Sequence, residues 1–329
     1  MGMCGLGERR EDEREGRPRP LANSRRREKG MKNMIRMGVS RFTCRMALVV
    51  LVPLALSLAG CPGPGSGGGG GHGGAEVTNL CDDSNPGGPG LTPEQKLRAD
   101  QLISVFENDT IELQYGYVEA LDDGRGYTAG RAGFTTATGD LVDVVERYVE
   151  EVPESELAAY LPRLHELADE ESPDVDGLEG FPEAWERAAE EGRFRAVQDE
   201  VVDEMYYRPA VARGCELGLS TPLALAELYD AIIQHGEGED PDGLPALIER
   251  TVDRAGGSPA TGVDEAEWLY DFLDVRRETL ENAFDPETRE AWAASVYRVD
   301  IFIEIADSGN FDLEGPILID TPDHQATIP

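Results

Sequence analysis

The sequence predicts a mostly helical α+β domain with one small β-hairpin sheet. Apolar residues recur at the three-to-four spacing of amphipathic helices through most of residues 140–307. A glycine-rich turn and two runs of β-prone residues lie just before this helical region, within residues 123–136. Residues 91–329 are numerous enough to enclose a substantial hydrophobic core, so we expect one globular domain there.

The N-terminal residues 1–61 do not belong to this domain. Residues 46–60 form an uncharged run of mainly Leu, Val and Ala that follows several arginines and ends at Cys61. This is the layout of a secretory signal peptide, and Leu58-Ala59-Gly60-Cys61 resembles a bacterial lipobox. We therefore expect an N-terminal extension and signal peptide, cleavage before Cys61, and a lipid on Cys61 that anchors the protein to a membrane outside the cytoplasm. The alternative is an ordinary secreted protein that is cleaved within residues 59–70.

A glycine- and proline-rich segment, residues 62–90, connects the signal to the domain at residues 91–329. Such a composition buries too little apolar surface to order itself, which predicts a flexible tether. Cys81, near its end, and Cys215 are the cysteines that follow Cys61. In an exported protein these two can form a disulfide that ties the tether to the domain, or they can stay free thiols.

Charge is the strongest compositional feature. Residues 62–329 carry 59 acidic and 17 basic side chains, a net charge of −42. This excludes nucleic acid as a natural partner, because the phosphate backbone would be repelled. A strongly negative surface instead attracts a cationic polymer and raises its rate of encounter. The alternative is that the acidic side chains only keep the protein soluble or suit it to high salt.

The first predicted helix ends beside a candidate catalytic carboxyl group. Thr92 is placed to cap the helix, Pro93 suits its first position, and Gln95 completes a capping box. Its apolar face consists of Leu102, Val105 and Phe106. Glu107 follows this face directly, and desolvation there would favour a protonated carboxylic acid.

A second candidate carboxyl group lies in the glycine-rich turn. Asp123, Gly124, Arg125 and Gly126 predict a tight turn, because two glycines allow positive φ, and the turn launches the β-prone runs at 127–128 and 132–136. The neighbouring Arg125 would keep Asp123 ionised. Hydrolysis of a glycosidic bond needs such a pair, a protonated acid and an ionised carboxylate.

The sequence makes specific predictions for two of the later helices. The segment 194–207 is predicted to place Phe194, Val197, Val201 and Met205 on one face. Thr221 and Pro222 are expected to start another helix by the same rule of a cap followed by proline.

Asp230 lies within the apolar part of the helix that follows Pro222. An unpaired carboxylate would be costly in that position, so Asp230 needs a cationic partner. Arg276 and Arg298, in two following helices, are the candidates.

Several segments together resemble the glycoside hydrolase family 46 chitosanases, which have a lysozyme-like fold. They are QYGYVEALDDGRGYTAGRAGF followed by TGD, then LYDAIIQHG, YDFLDVRR, YRVD and SGNFDL, in this order between about Leu91 and Leu313. The resemblance implies two lobes that are separated by a cleft and linked by a long helix. It also implies endo-hydrolysis of β-1,4 linkages between glucosamine units of chitosan with inversion, by a monomer without cofactor or metal.

The resemblance implies roles for individual residues. Glu107 matches the general acid, Asp123 the general base, and Thr128 a residue that holds the attacking water. Four residues match positions that contact substrate or line the cleft: Tyr117, Arg125, Asp140 and His235. Three match a buried charge network behind the acid: Asp230, Arg276 and Arg298.

Three of these residues have simpler alternatives. Tyr117 can be ordinary half-buried packing, His235 can be a cation at a helix C-terminus, and Asp230 can form a purely structural ion pair.

Two alternative functions also fit parts of the sequence. A lysozyme-like muramidase would act on peptidoglycan, although that substrate is not cationic. A non-catalytic, acidic surface lipoprotein would bind polycations and lose nothing on Glu107→Gln.

Overall fold

The computed structural model describes residues 80–82, 89–121, 124–286, 288–321 and 324–329. The predicted signal peptide with Cys61, most of the predicted tether and the candidate base Asp123 lie outside these residues. The boundary between tether and domain stays a prediction.

The first half of the described chain contains the sheet and five helices. The elements are α1 (Pro93–Asn108), β1 (Val118–Ala120), β2 (Tyr127–Ala129), β3 (Phe134–Thr135), α2 (Asp140–Glu151), α3 (Leu161–Asp169), α4 (Phe181–Ala189) and α5 (Gly192–Val202). A short 3₁₀ helix, Glu156–Tyr160, precedes α3.

The second half is helical up to a C-terminal hairpin. A π-helical turn, Asp203–Tyr207, leads into α6 (Arg208–Leu217), and a 3₁₀ turn, Pro259–Thr261, precedes α9. The other elements are α7 (Pro222–His235), α8 (Leu244–Ala255), α9 (Glu265–Glu281), α10 (Arg289–Ala293), α11 (Tyr297–Asp307), β4 (Ile317–Asp320) and β5 (Gln325–Ile328). The mostly helical α+β class is thus confirmed.

The elements divide into two lobes around one hydrophobic core. The three-stranded sheet contacts α2 and α4, and these helices pack with α3 and α5. Helices α6 to α11 pack with one another, and α1 packs against α7 and β5. Residues 192–217 run through α5, the π turn and α6 as one continuous helical segment that connects the two lobes. The two-lobed arrangement with a linking helix agrees with the expectation.

The predicted start of α1 is confirmed in detail. Thr92 Oγ1 accepts a hydrogen bond from Gln95 N, and Gln95 Oε1 accepts one from Thr92 N, so the capping box is complete. The helix ends at Asn108, and Asp109 adopts a left-handed conformation with φ 55°. Glu107 is therefore the penultimate helical residue.

The cap at the start of α7 differs from the prediction. Pro222 does occupy the first helical position, but the Thr221 side chain forms no capping hydrogen bond. Thr221 Oγ1 instead donates to Glu265 Oε1 at 2.7 Å, because Glu265 at the start of α9 lies within reach. The predicted side-chain cap is wrong, and the proline alone marks the start of the helix.

The described residues form two sheets, whereas one was expected. In the first, β2 lies between β1 and β3, with Val118 opposite Ala129 and Thr128 opposite Thr135. In the second, β4 and β5 form an antiparallel hairpin with Ile317 opposite Ile328. Ile317, Ile319 and Ile328 are buried, whereas Leu318, Asp320, Gln325 and Thr327 of the same strands are exposed. The period-two pattern was therefore present in the sequence, although it is short.

Met205 does not lie on the buried face that was predicted for it. Val197 and Val201 are buried, but 38% of Met205 is exposed, and Tyr207 is buried instead. The π turn causes this change, since i→i+5 bonding inserts an extra residue into one turn and rotates the following side chains.

Cys81 and Cys215 form a disulfide, which settles the alternatives that the sequence left open. The bond ties the chain before α1 to α6, and the adjacent Leu80 is buried in the same region. Among the described residues, no helix combines the length and hydrophobicity that crossing a bilayer requires.

Candidate active site

Glu107 is held by a buried arginine. Only 8% of Glu107 is exposed, and its Oε1 accepts a hydrogen bond from Arg298 Nη1 at 2.5 Å. Arg298 lies at the start of α11 and is almost fully buried, so α11 positions the end of α1 through this ion pair.

Asp230 contacts both arginines that the sequence proposed for it. Arg298 donates from Nη2 to Asp230 Oδ1 at 2.5 Å and from Nε to Oδ2 at 3.2 Å. Arg276 Nη2 donates to Asp230 Oδ2 at 2.5 Å. Although burial opposes it, the two guanidinium groups lower the pKa of Asp230. The carboxylate is therefore ionised and bridges two cations in a buried site.

The network extends further than the sequence indicated. Arg276 also donates from Nη1 to Glu227 Oε1 and from Nη2 to Gln234 Oε1, both at 2.7 Å. Glu227, Asp230 and Gln234 share one face of α7 because they are three and four residues apart. Burial raises the pKa of Glu227 to about 7, and the nearby Arg276 opposes this rise.

His235 belongs to this network and is not a cation. Its Nδ1 lies 2.9 Å from the carbonyl oxygen of Asp242, and its Nε2 accepts a hydrogen bond from Arg276 Nε at 3.3 Å. Burial and the charge of Arg276 lower the pKa of His235 well below its usual value. The alternative of a helix C-terminal cation is wrong. Only 3% of His235 is exposed.

The sheet places Thr128 in the other lobe. The side chain is fully buried, and its Oγ1 has no hydrogen-bond partner among the residues that the structure describes. In the sequence, Asp123 lies between β1 and β2, in the connection that leads to Thr128. Asp123 itself is outside the described residues.

The glycines of the predicted turn have the expected geometry. Gly124 and Gly126 have φ of 85° and 77°. A Cβ at Gly126 would lie 2.1 Å from Thr136 Oγ1, so no side chain fits there. The carbonyl oxygen of Arg125, between them, accepts hydrogen bonds from Ala137 N and Thr136 Oγ1. The turn is thus fastened to the segment that follows β3.

Asp140 connects β3 to the start of α2. Its Oδ1 accepts hydrogen bonds from Thr135 N at 2.8 Å, Leu141 N at 2.9 Å and Thr138 Oγ1 at 2.6 Å. Burial raises the pKa of Asp140, and these hydrogen bonds act in the opposite direction.

Tyr117, immediately before β1, is half-buried. Its Oη donates to Glu119 Oε2 at 3.0 Å, and its carbonyl oxygen accepts from Gly130 N at 2.7 Å. The backbone of Tyr117 therefore belongs to the sheet lobe, together with Thr128.

Sequence reasoning missed Tyr206, which lies on the π turn between the lobes. Burial raises the pKa of Tyr206, and the negative charges of Asp140 and Glu107 raise it further. The Tyr206 hydroxyl group is therefore close enough to one carboxyl group of each lobe for their charges to affect its pKa. π turns within helices often occur at functional sites. The spacing of apolar residues in the sequence does not reveal this turn.

The profile of glycosyl hydrolase family 46 matches residues 101–317, about two thirds of the chain. The chain belongs to glycosyl hydrolase family 46.

Members of this family align with the chain over most of its described length. The chitosanase of Bacillus subtilis (strain 168) is 56% identical over 228 residues, which are 69% of this chain and 82% of that protein. A chitosanase variant from Bacillus subtilis MY002, solved in complex with six GlcN, aligns with a TM-score of 0.65 and 53% identity over 73% of this chain and 100% of that one.

A third family 46 member has a similar backbone. The chitosanase of Gynuella sunshinyii, solved with chitotetraose, aligns with a TM-score of 0.63 and 51% identity over 73% of this chain and 99% of that one. The lysozyme-like fold that was expected from the sequence is thereby confirmed.

Proposed function

We propose that the chain is an endo-acting chitosanase, which hydrolyses β-1,4 linkages between glucosamine units with inversion at the anomeric carbon. Family 46 membership supports the reaction type. The substrate class is supported by relatives that are chitosanases and by solved relatives that hold glucosamine oligomers. The net charge of −42 in residues 62–329 supports it independently, because a polyamine sugar is attracted to such a surface.

The observation that carries the proposal is the ion pair between Glu107 and Arg298, backed by Asp230. Arg298 binds Glu107 Oε1, which fixes the orientation of the carboxyl group. Asp230 accepts hydrogen bonds from two other nitrogens of the same guanidinium group. Much of the positive charge of Arg298 is therefore already balanced by Asp230. Glu107 is then the general acid, and its Oε2 delivers the proton to the oxygen that leaves the anomeric carbon.

Asp123 is the general base in this proposal. It takes a proton from a water molecule as the water oxygen bonds to the anomeric carbon, the glycosidic C–O bond breaks, and the leaving oxygen receives the proton of Glu107. Thr128 holds the water, which is consistent with a buried hydroxyl group that lacks a partner among the described residues. The single displacement turns a β linkage into an α product.

Three polar residues of the sheet lobe contact the sugars in this scheme. Tyr117 offers a half-buried aromatic ring. Asp140 accepts from Thr135 N and Leu141 N with Oδ1 and offers Oδ2 to an ammonium group of the substrate. Arg125 binds sugar hydroxyl groups from the turn. We assign His235 to the charge network and not to the sugars, because both of its ring nitrogens are engaged and the ring is buried.

A viscosity assay on chitosans of graded acetylation tests this function. The wild type should reduce viscosity rapidly, whereas Glu107→Gln should lower kcat by about 10²–10⁴. Glu112→Gln, an exposed neighbour, is the matched control and should behave as wild type. Clearing of peptidoglycan without any effect on chitosan would favour a muramidase. Equal behaviour of Glu107→Gln and wild type would indicate a non-catalytic binder.

We further propose that Cys61 is lipidated and anchors a monomeric enzyme to the outside of a membrane through the segment at 62–90. The lipobox-like residues 58–61 support this proposal. Detergent phase separation tests it, since the mature wild type should enter the detergent phase and Cys61→Ser should not. Wild-type protein that is fully aqueous and begins after Cys61 would show an ordinary secreted enzyme.

A further inference from the structure

A chain of ion pairs runs through the interior from α7 to Glu107. Glu227 pairs with Arg276 at 2.7 Å, Arg276 with Asp230 at 2.5 Å, and Asp230 with Arg298 at 2.5 Å. Arg298 then pairs with Glu107 at 2.5 Å. The four inner residues are at most 1% exposed, and Glu107 is 8% exposed. Acidic and basic side chains alternate along this series of ion pairs.

The charges of the three central residues are fixed. Both guanidinium groups remain protonated at any pH at which the protein is folded. Asp230 is ionised, because Arg298 and Arg276 outweigh the effect of burial and lower its pKa. These residues together carry one positive charge, which one ionised glutamate neutralises. With both glutamates ionised, the buried cluster would carry a net negative charge.

We propose that Glu227 is a positioning residue for the general acid, because Glu227 and Glu107 share one proton through this chain of ion pairs. When Glu227 is ionised it neutralises the arginines, and Glu107 then keeps the proton that it donates to the leaving sugar. The proposal rests on the assignment of Glu107 as the acid. Coupled carboxyl groups of this kind release their protons in two steps that belong to the pair.

The surroundings of Glu227 support this role. Its Oε1 accepts from Arg276, while its buried Oε2 has no hydrogen-bond partner in the described part of the chain, so Oε2 can carry a proton. Burial raises the pKa of Glu227 to about 7, helped by Asp230 and opposed by Arg276 and Arg298. Glu227 therefore changes charge near neutral pH.

Three titratable side chains beside this series of ion pairs are neutral near neutral pH, and Asp140 and Asp109 are further carboxyl groups whose charges act on two of them, Tyr206 and Tyr297. His235, on the same helix as Glu227, is neutral because burial and Arg276 lower its pKa. Tyr297 and Tyr206, which face Glu107, are neutral because burial raises their pKa values. Among the described carboxyl groups that bond to Arg276 or Arg298, Asp230 stays ionised, so Glu227 is the one whose ionisation can complement that of Glu107.

The pH dependence of kcat/KM for Glu227→Gln tests the proposal. Glutamine keeps the shape and the hydrogen bond to Arg276 but cannot become negative. Protonated Glu107 would then leave a positive charge unmatched, so the alkaline limb of the profile should move to lower pH by about one unit or more. The acid limb, which reports the base Asp123, should stay in place. A uniform loss of activity at every pH, with both limbs unmoved, would overturn the proposal.

Gln234 allows a second test that does not require Glu227 to be changed. Its Oε1 lies 2.7 Å from Arg276 Nη2, so Gln234→Glu places a further carboxylate on the same guanidinium. In the wild-type background this variant should move the alkaline limb to higher pH. In the Glu227→Gln background it should return the limb toward its wild-type position. If both variants fold and the alkaline limb moves in neither background, Glu227 and Glu107 do not share a proton.

The role of Glu107 as the acid and the shared proton can be tested separately. If Glu107→Gln is inactive while Glu227→Gln and Gln234→Glu leave the alkaline limb unmoved, Glu107 remains the acid and the shared proton is refuted. If Glu107→Gln is fully active, the proposed function itself fails.

Discussion

Arg131 Nη2 lies 2.8 Å from Asp100 Oδ1, and this ion pair joins the loop between β2 and β3 to helix α1. Both side chains are nearly buried. Asp100 also accepts hydrogen bonds from Lys96 Nζ and Tyr229 Oη, each at 3.0 Å, and Arg131 contacts Asp199 on α5. The pair therefore links the sheet that carries Thr128 to the helix that carries Glu107, across the two lobes.

Loss of this link should affect both stability and catalysis. Arg131→Met leaves Asp100 buried with one partner fewer, which should cost about 3–5 kcal/mol of unfolding free energy. We also expect a lower kcat, because the sheet is no longer fixed relative to α1. Thermal unfolding and initial rates measure the two effects. Arg187→Met, which removes an exposed pair with Glu156, is the control and should change Tm little. Unchanged stability and kcat in Arg131→Met would show that the lobes are aligned by other contacts.

Asp230 should be essential for folding stability as well as for activity. Asp230→Ala leaves Arg276 and Arg298 facing each other without the carboxylate between them, at a cost of about 3–5 kcal/mol. The expected result is a clear fall in Tm, measured by calorimetry or circular dichroism. Asp300→Ala, which removes a partly exposed partner of Arg277, should change Tm much less. An equal Tm for both variants would contradict the buried network.

Local signals in the sequence predicted the start of α1 and the partners of Asp230. Thr92, Pro93 and Gln95 determine a helix start among themselves, so no distant contact is needed to recognise it. A cationic partner for Asp230 could be predicted because an unpaired carboxylate in an apolar helix is costly, and the family resemblance indicated Arg276 and Arg298. Family resemblance supplied the roles of Glu107 and Asp123, which spacing alone would not have provided.

Features that depend on distant residues were missed or misjudged. Glu227 was overlooked because nothing near it in sequence shows that Arg276 reaches it. Met205 was placed on the wrong face because the π turn at Asp203–Tyr207 changes the helical period, and Pro209, two residues after this turn, was not used as a sign of the irregularity. The Thr221 side chain turns to Glu265, which lies 44 residues away. The C-terminal hairpin was missed because four-residue strands give a weak alternation.

The stability of the protein should fall between about pH 4.5 and pH 7 through Glu227. In the unfolded chain this residue ionises near its ordinary pKa of 4.5, whereas in the folded protein burial raises the pKa to about 7. Below pH 4.5 Glu227 is neutral in both states, so it does not change the free energy of unfolding there. As pH rises through this window the unfolded state is favoured, by on the order of 3 kcal/mol in total.

Urea unfolding at pH 4.5 and pH 8 measures this effect in wild type and Glu227→Gln. The difference in unfolding free energy between the two proteins should grow in favour of the variant at pH 8. Glu278→Gln, an exposed control, should follow wild type at both values. Parallel pH dependences for wild type and Glu227→Gln would refute a buried glutamate that ionises in this range.

Salt should weaken the binding of long substrates more than that of short ones. The attraction between the acidic protein and polymeric chitosan acts over a range that shrinks from about 30 Å at 0.01 M salt to about 10 Å at 0.1 M. KM for the polymer should therefore rise with salt more steeply than KM for short glucosamine oligomers. Rates that increase steadily into molar salt would favour adaptation to a saline habitat as the reason for the acidic surface.

The anomeric configuration of the first products tests the proposed mechanism most directly. If Asp123 activates a water molecule and Glu107 protonates the leaving oxygen in one displacement, the β linkage is inverted. Proton NMR during the first minutes of hydrolysis should then show the α anomer in excess over its equilibrium share, followed by slow mutarotation. An initial excess of the β anomer would require two displacements and a covalent intermediate, and it would contradict the assignment of Asp123 as a base that acts through water.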